Sequence, residues 1–326
     1  MNYTNTSNIA LPLAVFLATD GYDHENNTIS ATSIMKSTRQ YILGSRVNQS
    51  EAFIDIASLI ASRLGTSIHN GIEESWKGKN LAKTLQALGQ PKRVYENIIV
   101  NPTQELVHAD PSVIPVYMEI RSYMDILGYR ISGKFDFVGG GKVQDYKTTS
   151  SWSYIYQTNR ESFIIQMSIY KLLNPDIITK PTGTIHYVFM DWSKTTAERT
   201  KDYPASRLLS QDYPLMSEKE TMAYLKGKLN AITMYDATPE PELPPCNDAE
   251  LWRKEDTWKY YANPLKMGKS TKNFKSMSEA HTRFAKDGAT GIVKFFPGKV
   301  VACNYCPAFA LCTQKDAYIA SGELIL

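Results

Sequence analysis

The stretch that decides the fold covers residues 129–149 and has the sequence YRISGKFDFVGGGKVQDYKTT. Two β-type runs flank the glycines at 139–141, which predicts a β-hairpin because glycine accepts the positive φ of a tight turn. Side chains alternate along a strand, so Asp145 and Lys147 are expected on one face. The hairpin brings Asp136 back alongside them. We therefore expect two carboxylates and one ammonium at a single place.

This group of charges has a definite chemical use. Two carboxylates at such close range repel each other unless a cation lies between them, and a divalent metal is the natural occupant. A lysine beside the metal can orient or deprotonate a water, or stabilise the charge that develops on a phosphate. The alternative is a solvated hairpin with an exposed ion pair. An Asp-x-Lys triplet arises by chance about once in a chain of this length, so the rest of the sequence must decide.

A helical segment lies upstream of the hairpin. Apolar residues recur with a helical period through residues 51–76, and this segment contains Gly65-Thr66-x-x-His69-x-x-x-Glu73. His69 and Glu73 are four residues apart and share a helix face. A neutral imidazole is a good ligand for manganese and other transition ions, and a poorer one for magnesium. The alternative for His69 is a capping or core histidine.

A second helical segment follows the hairpin. Residues 161–173 have a helical pattern that ends at Asn174-Pro175. Gln166 and Tyr170 are at positions i and i+4, so they lie on one face of the predicted helix.

Taken in order, these motifs resemble those of the PD-(D/E)xK nuclease superfamily, in particular its RecB-like members. The resemblance implies an α/β fold with a mixed central sheet flanked by helices. It also implies Mg²⁺- or Mn²⁺-dependent hydrolysis of DNA phosphodiesters. The four ligands that it implies for the metal are His69, Asp136, Asp145 and the backbone carbonyl of Tyr146.

The resemblance assigns roles to further residues. Lys147 would position the attacking water and stabilise the pentacovalent state, and Gln166 and Tyr170 would place the DNA strand. In RecB-like and related nucleases an acidic residue on the strand before the hairpin supports the site. Glu119 lies on such a predicted strand, at residues 113–121, and is a further candidate ligand. A structural role for Glu119 is the alternative.

The four cysteines all lie in the last quarter of the chain. In a cytosolic protein such a cluster favours a metal site over disulfides. Four thiolates could hold zinc or an iron–sulfur cluster, and the alternative is a set of buried free thiols. The spacing resembles the C-terminal loop of iron–sulfur nucleases such as the CRISPR-adaptation nucleases, which implies a [4Fe–4S] cluster, with Zn²⁺ as the alternative. In that family the fourth cysteine precedes the nuclease core, whereas Cys246 follows it. The four residues are Cys246, Cys303, Cys306 and Cys312.

Aromatic and basic residues interleave between the cysteines, a pattern that suits stacking of single-stranded nucleic acid combined with phosphate neutralisation. A solvated charged surface would have the same composition. The segment is also similar to the tails of phage and prophage PD-(D/E)xK exonuclease-like proteins. The interleaved residues are Trp252, Lys254, Trp258, Lys259, Tyr260, Tyr261, Lys266, Lys269, Lys272 and Lys275.

Size and composition set the broad class. The chain has 326 residues, 43% hydrophobic and 21% charged, and is long enough for one large domain or two. No apolar run reaches the ~20 residues of a membrane span. The first run, residues 9–18, lacks a preceding basic segment, so we expect no signal peptide and a cytoplasmic location in a bacterium or a phage-infected cell. The net charge of +3 means that nucleic-acid contacts must come from local patches.

The sequence thus predicts an N-terminal arm at 1–27, a nuclease core at 28–236 and a cysteine-containing module at 237–326. The expected function is that of a metal-dependent DNA nuclease, an exonuclease of recombination, repair or replication. Expected partners are single- or double-stranded DNA and recombination or replication proteins, with no membrane. One alternative is a non-catalytic DNA-binding or scaffold subunit that retains the fold. Another is an iron–sulfur redox protein, which would leave the hairpin and His69 unexplained.

Overall fold

The computed structural model describes residues 2–19, 25, 27–48 and 53–325. The chain forms two compact units, and each is built from two segments. Unit one contains residues 1–35 and 48–230, and unit two contains residues 36–47 and 231–326. The sequence-based limits 1–27, 28–236 and 237–326 stay a prediction. Among the described residues, no helix combines the length and apolarity needed to cross a bilayer.

The chain contains both strands and helices throughout its length. The strands are β1 (Asn2–Thr4), β2 (Ile29–Ser30), β3 (Phe53–Asp55), β4 (Ile98–Val100), β5 (Ile114–Ile126), β6 (Tyr129–Gly139), β7 (Lys142–Thr149), β8 (Thr182–Phe189), β9 (Leu208–Pro214), β10 (Thr257–Tyr261), β11 (Lys272–Phe274) and β12 (Ile292–Phe296). The helices are α1 (Leu11–Ala18), α2 (Ala31–Ile34), α3 (Thr38–Arg46), α4 (Ile60–Lys77), α5 (Leu81–Ala87), α6 (Lys92–Asn97), α7 (Gln104–Ala109), α8 (Ser151–Ile155), α9 (Arg160–Leu173), α10 (Lys194–Arg199), α11 (Glu218–Tyr235), α12 (Met277–Lys286) and α13 (Gln314–Ala320).

Unit one is organised around a mixed sheet of seven strands. Six follow the order β4-β5-β6-β7-β8-β9, and β2 pairs with β6. The β5–β6, β6–β7 and β8–β9 pairs are antiparallel, whereas β4–β5, β7–β8 and β2–β6 are parallel. Helices α4 and α9 pack on this sheet. The predicted α/β fold with a mixed central sheet flanked by helices is confirmed.

The hairpin predicted at residues 129–149 is present as β6 and β7. Gly140 and Gly141 form its turn with φ values of 59° and 76°. This is the region where glycine has no steric penalty, so the turn depends on these two residues. The ladder continues as far as the pair of Phe137 with Gln144. The next position places Asp136 across from Asp145, as the sequence predicts.

The two strands separate at that point, because β6 changes its neighbour. Residues 137–139 of β6 pair with β7, whereas Ile131 and Ser132 pair with β2. In the described ladders, the intervening residues 133–136 have no strand beside them on this edge. The gap leaves room for a cleft beside Asp136 and the start of the diverging part of β7. Polar groups from several elements can therefore converge there.

Helix α4 packs on the sheet through its apolar face. Ile72 and Trp76 contact a buried cluster of Val116, Met118 and Phe137. Two turns before Ile72, a Cβ atom at Gly65 would lie 3.0 Å from Thr148 Oγ1. Glycine at this position thus lets α4 approach β7 closely.

Helix α9 approaches β6 at Gly133, and this contact gives a stability prediction. A Cβ at Gly133 would lie 2.7 Å from Leu173 Cδ1 and 3.0 Å from Tyr170 Cδ1. We expect Gly133→Ala to lower the free energy of unfolding by about 1–3 kcal/mol, because the buried α9 side chains must shift. Chemical denaturation measures this loss. Gly227→Ala is the control, since nothing lies within 4 Å of that position in its helix. Equal stability of the two variants would contradict the close contact.

Three local features complete the description of the helices and strands. Near the N-terminus, β1 pairs with β3, and the Asp55 carboxylate accepts hydrogen bonds from the Thr4 and Thr6 hydroxyls at 3.0 and 2.8 Å. Helices α2 and α3 are separate, because the Ser37 hydroxyl accepts from the Gln40 amide and starts α3. Helix α6 ends at Asn97, and the chain becomes extended only in β4.

Unit two combines α3 with the C-terminal quarter of the chain. Ile42 and Leu43 of α3 pack against Leu243 and Ala308, with Cys306 and Cys312 at the border of this core. A separate antiparallel sheet has the order β11-β10-β12, and α12 packs on it.

Candidate active site

A polar cleft of about 750 Å³ opens in unit one at the gap beside β6. It receives side chains from α4, β5, β6, β7 and α9, and from the segment around α2. Its lining includes Glu25, Thr28, Ser30, Thr32, Ser33, Ser62, Gly65, Thr66, His69, Asn70, Glu73, Glu119, Arg121, Ser132, Lys134, Asp136, Asp145, Tyr146, Lys147, Thr148, Gln166 and Tyr170.

His69 reaches the gap from α4. Its Nε2 lies 2.9 Å from the Tyr146 carbonyl oxygen, and its Nδ1 lies 3.3 Å from Asp136 Oδ2. Burial would lower the pKa of the His69 imidazole, but the hydrogen bond and charge of Asp136 outweigh burial and raise that pKa above its ordinary value. The ring thus joins two of the predicted metal-binding groups. Glu73, one turn on, forms an ion pair with Lys77 at 2.5 Å.

Asp136 is held in place from two sides. Its Oδ2 accepts a hydrogen bond from the Tyr146 backbone amide at 3.0 Å, in addition to the contact with His69. Burial favours the protonated acid, but the hydrogen bond and charge of His69 and the charge of Lys147 lower the pKa of Asp136 below its ordinary value. Asp136 is therefore a carboxylate poised to accept a cation.

Glu119 has an unusual backbone conformation for a residue inside a strand. Its φ is 54°. The β5–β6 ladder pairs Met118 with Phe137 and Ile120 with Phe135, and Glu119 between them is not part of a ladder pair. A non-glycine residue in this region costs on the order of 1–3 kcal/mol, and such residues cluster at functional sites. The register puts Glu119 opposite Asp136, and its Oε2 lies 2.6 Å from Lys134 Nζ. Burial raises the pKa of the Glu119 carboxyl, although Lys134 opposes this effect.

Asp145 and Lys147 form the buried ion pair of the site. Lys147 Nζ lies 2.7 Å from Asp145 Oδ2, a buried oxygen that receives no well-directed hydrogen bond from the described residues. Burial raises the pKa of Asp145 to about 6, against the lowering effect of Lys147. Burial would lower the pKa of Lys147, but Asp145 and Asp136 raise it. Lys147 thus keeps its positive charge, with 26% of its side chain exposed.

Gln166 and Tyr170 of α9 also line the cleft. Gln166 Nε2 donates a hydrogen bond to the Tyr170 hydroxyl at 2.7 Å, and both side chains are buried. This pairing fixes the orientation of the amide and leaves its carbonyl oxygen as an acceptor. The structure therefore brings every predicted residue of the nuclease motifs to one cleft.

Three side chains could hold a divalent metal. His69, Glu119 and Asp136 each have one ligand atom within 4.8 Å of the ligand atoms of the other two. An imidazole with two carboxylates suits Mn²⁺ and, through its oxygens, Mg²⁺. Asp145 does not join this group in the described residues. Glu119, a further candidate ligand in the sequence, thus lies beside His69 and Asp136.

Sequence reasoning missed two contributions to the cleft. Lys134 lies two residues before Asp136 on the same strand. Residues two apart in a strand point to the same face, so this spacing could have predicted that Lys134 lies in the cleft. The hydroxyl-rich wall around α2 was also missed, because serine and threonine are common in loops and cap positions. This wall consists of Thr28, Ser30, Thr32, Ser33, Ser62, Thr66 and Ser132.

The four cysteines meet in unit two around a small cavity of about 30 Å³. All four are free thiols. Burial raises the pKa of Cys303 to about 11, and the three other thiols add to this effect. Cys246 Sγ lies 3.2 Å from the Ser37 hydroxyl, and Arg39 Nε donates to Cys312 Sγ at 3.2 Å. The late position of Cys246 in the sequence therefore does not separate it from the other three.

Comparison with known proteins places these motifs in a family. The sequence profile of the PD-(D/E)XK nuclease superfamily matches residues 38–313. A search of curated protein sequences gave no match.

Two solved structures are similar to this chain. The crystal structure of SSO0001 has 16% identity and a TM-score of 0.39, and the match covers 71% of this chain and 89% of that one. A phage-related exonuclease from Haemophilus somnus 129PT has 12% identity and a TM-score of 0.28, with coverage of 64% and 93%. These overall likenesses are low, so the assignment depends on the profile match over most of the chain. On that match, this chain belongs to the PD-(D/E)XK nuclease superfamily.

Proposed function

We propose that this protein is a divalent-metal-dependent deoxyribonuclease that hydrolyses DNA phosphodiesters in recombination, repair or replication. The observation that carries the proposal is the convergence of His69, Glu119 and Asp136 donors within 4.8 Å, in a cleft that also holds the Asp145–Lys147 pair. The exonucleolytic mode comes from the RecB-like motif order and is part of the proposal.

The residues present fit a Mg²⁺ or Mn²⁺ ion. His69, Asp136 and Glu119 would hold it, with Asp145 and the Tyr146 carbonyl as the further ligands implied by the motif. When bound, such an ion lowers the pKa of a water and polarises the phosphodiester.

The other side chains act on the water and the DNA. The Lys147 ammonium, charged and partly exposed to the cleft, orients the water and donates to phosphate oxygens as negative charge develops. Asp145 holds that ammonium in place at 2.7 Å. The free carbonyl of Gln166 and the hydroxyl of Tyr170 contact the strand.

Lys134 has a separate task in this proposal. At 2.6 Å from Glu119, it neutralises that carboxylate while no cation is bound. Without it, Glu119 would face Asp136 on the neighbouring strand with no ion-pair partner of its own among the contacts described. Lys134 thereby lowers the cost of assembling the acidic ligands.

Metal dependence is the first prediction. We expect cleavage of end-labelled single- and double-stranded DNA to stop in EDTA and to return with Mn²⁺ or Mg²⁺. Mn²⁺ should be the better ion because a histidine nitrogen belongs to the donor set. Calorimetric titration of Mn²⁺ into wild-type and Asp136→Asn protein gives a readout besides activity, and the variant should bind at least about 10-fold more weakly.

The outcome also separates the alternative function. A protein that binds DNA but cleaves neither substrate with either ion would be a non-catalytic subunit that retains the fold. Cleavage that persists in EDTA would contradict the metal-dependent mechanism.

We further propose that the four cysteines hold a [4Fe–4S] cluster. No three of the four sulfur atoms, all in the described chain, lie within 4.8 Å of one another. A single tetrahedral zinc with Zn–S bonds of about 2.3 Å requires sulfur atoms roughly 3.8 Å apart. A cluster, with several metal atoms between the thiolates, accepts the wider spacing. The donor set of four thiols fits either group, and the spacing favours the cluster over Zn²⁺.

A further inference from the structure

The positive charge of the chain is concentrated in one small part of unit two. Residues 257–296, here called the basic module, comprise β10, β11, α12 and β12. They contain eight Lys and Arg residues and two Asp and Glu residues, for a net charge of +6. The whole chain carries only +3, so the rest is net negative. Such a concentration predicts a polyanionic partner for this module.

The sheet of the basic module carries a row of aromatic side chains. Trp258 in the central strand lies directly opposite Phe274 on one side and Phe295 on the other. Directly opposite residues share a face, so the three rings cross the whole sheet. The Trp258 and Phe295 ring centroids are 4.9 Å apart. Phe295 is 52% exposed, whereas Tyr260, two residues along the same face from Trp258, is fully buried.

Ammonium groups lie beside these rings. Lys272 precedes Phe274 by two residues on the same face, and its Nζ lies 5.2 Å from the Phe274 ring centroid. On the opposite face of the sheet, Lys259 Nζ lies 4.3 Å from the Phe296 ring centroid, and Lys294, the register partner of Lys259, is exposed. The face with the aromatic row therefore offers the exposed Phe295 ring and the half-buried Trp258 and Phe274 rings together with the Lys272 ammonium.

The combination of aromatic rings with ammonium groups favours one kind of polyanion over others. A single strand presents unstacked bases next to phosphates, and both groups find partners here. A duplex keeps its bases stacked inside, so it would satisfy the lysines but not the aromatic row. An acidic protein segment would likewise leave the rings unused.

We propose that the basic module is a second DNA-binding site that holds single-stranded DNA by base stacking on Phe274, Trp258 and Phe295 and by a phosphate contact to Lys272. This site lies in unit two, whereas the cleft lies in unit one. It goes beyond the proposed nuclease activity and does not depend on cleavage.

The test is fluorescence anisotropy of the full-length protein with a labelled oligothymidylate of about 16 nucleotides, in EDTA so that metal-dependent cleavage is suppressed. Phe295→Leu keeps an apolar side chain but removes the ring, and should weaken binding roughly 5- to 100-fold. Phe295→Tyr keeps the ring and should restore the affinity. Lys272→Gln should reduce the slope of log K against log salt by about 0.7, the value for one phosphate of a single strand.

The matched controls lie in unit one. Leu106→Ala removes a similarly exposed apolar side chain, and Lys226→Gln removes an exposed lysine. Both should leave oligothymidylate binding unchanged. Thermal melting of each variant confirms that it is folded.

The proposal is overturned if Phe295→Leu and Lys272→Gln bind the strand like wild-type protein, or if Phe295→Leu and Phe295→Tyr weaken binding equally. It is also overturned if duplex DNA or anionic vesicles compete as well as the single strand does. The two proposals can fail separately. If the variants lose strand binding but wild-type protein cleaves no DNA with either ion, this binding site is supported and the nuclease activity is refuted.

Discussion

Lys147→Ala is expected to lower the rate of DNA cleavage by about 100- to 1000-fold while leaving the chain folded. The Lys147 ammonium is a charged hydrogen-bond donor in the cleft, and Asp145 Oδ2 holds it at 2.7 Å. Alanine removes both the orientation of the water and the stabilisation of charge on the phosphate. Single-turnover cleavage of end-labelled DNA at saturating Mn²⁺ measures the loss.

The substitution has a side effect that the assay must separate. Lys147 lowers the pKa of Asp145, so its removal allows that pKa to rise further above about 6. A protonated Asp145 would weaken metal binding and imitate a catalytic defect. Measurement above about pH 8, with Mn²⁺ binding followed in parallel, keeps Asp145 ionised and isolates the role of the ammonium.

Lys142→Ala is the matched control for this experiment. Lys142 lies on the same strand and forms an ion pair with Asp212 at 2.5 Å, outside the residues that line the cleft. Its removal should leave cleavage unchanged. A folded Lys147→Ala protein that binds Mn²⁺ and cleaves at the wild-type rate would refute the assignment of the site.

The sequence was informative about the site where local rules apply. The hairpin followed from its glycines and from alternation along two strands, and this alone placed Asp136 beside Asp145. The i, i+4 spacing placed Gln166 beside Tyr170, which the hydrogen bond of 2.7 Å now shows. The position of His69 near the acids came from the family resemblance, because nothing local connects a helix to a strand about seventy residues later in the chain.

Other features depend on tertiary structure and could not be predicted. The gap beside Asp136 exists because β2 and β7 share one edge of β6, and two-residue β2 has no readable strand pattern. The left-handed backbone of Glu119 has no local signal in the sequence, which predicts an ordinary strand at residues 113–121. The grouping of residues 36–47 with the C-terminal quarter is likewise a long-range contact.

Cys306→Ser is the second prediction with a large expected effect. Wild-type protein purified without air should be coloured and contain about four iron atoms per chain. The variant loses one thiolate and should lose most of the iron. Since binding energy at such a site is folding energy, its melting temperature should fall by roughly 10 °C or more. Iron analysis and thermal melting of the same preparations measure both effects.

Ser37→Ala distinguishes loss of a ligand from loss of a structural neighbour. The Ser37 hydroxyl lies 3.2 Å from Cys246 Sγ and also caps α3 by accepting from the Gln40 amide. Removal of this hydroxyl should lower the free energy of unfolding by about 1 kcal/mol through loss of the helix cap, and the variant should retain its iron. If only the thiols hold the cluster, Cys246→Ser must resemble Cys306→Ser, because both remove one of the four ligands. A colourless wild-type protein with one zinc per chain would replace the cluster by Zn²⁺, and a protein without either metal would make the four residues buried thiols.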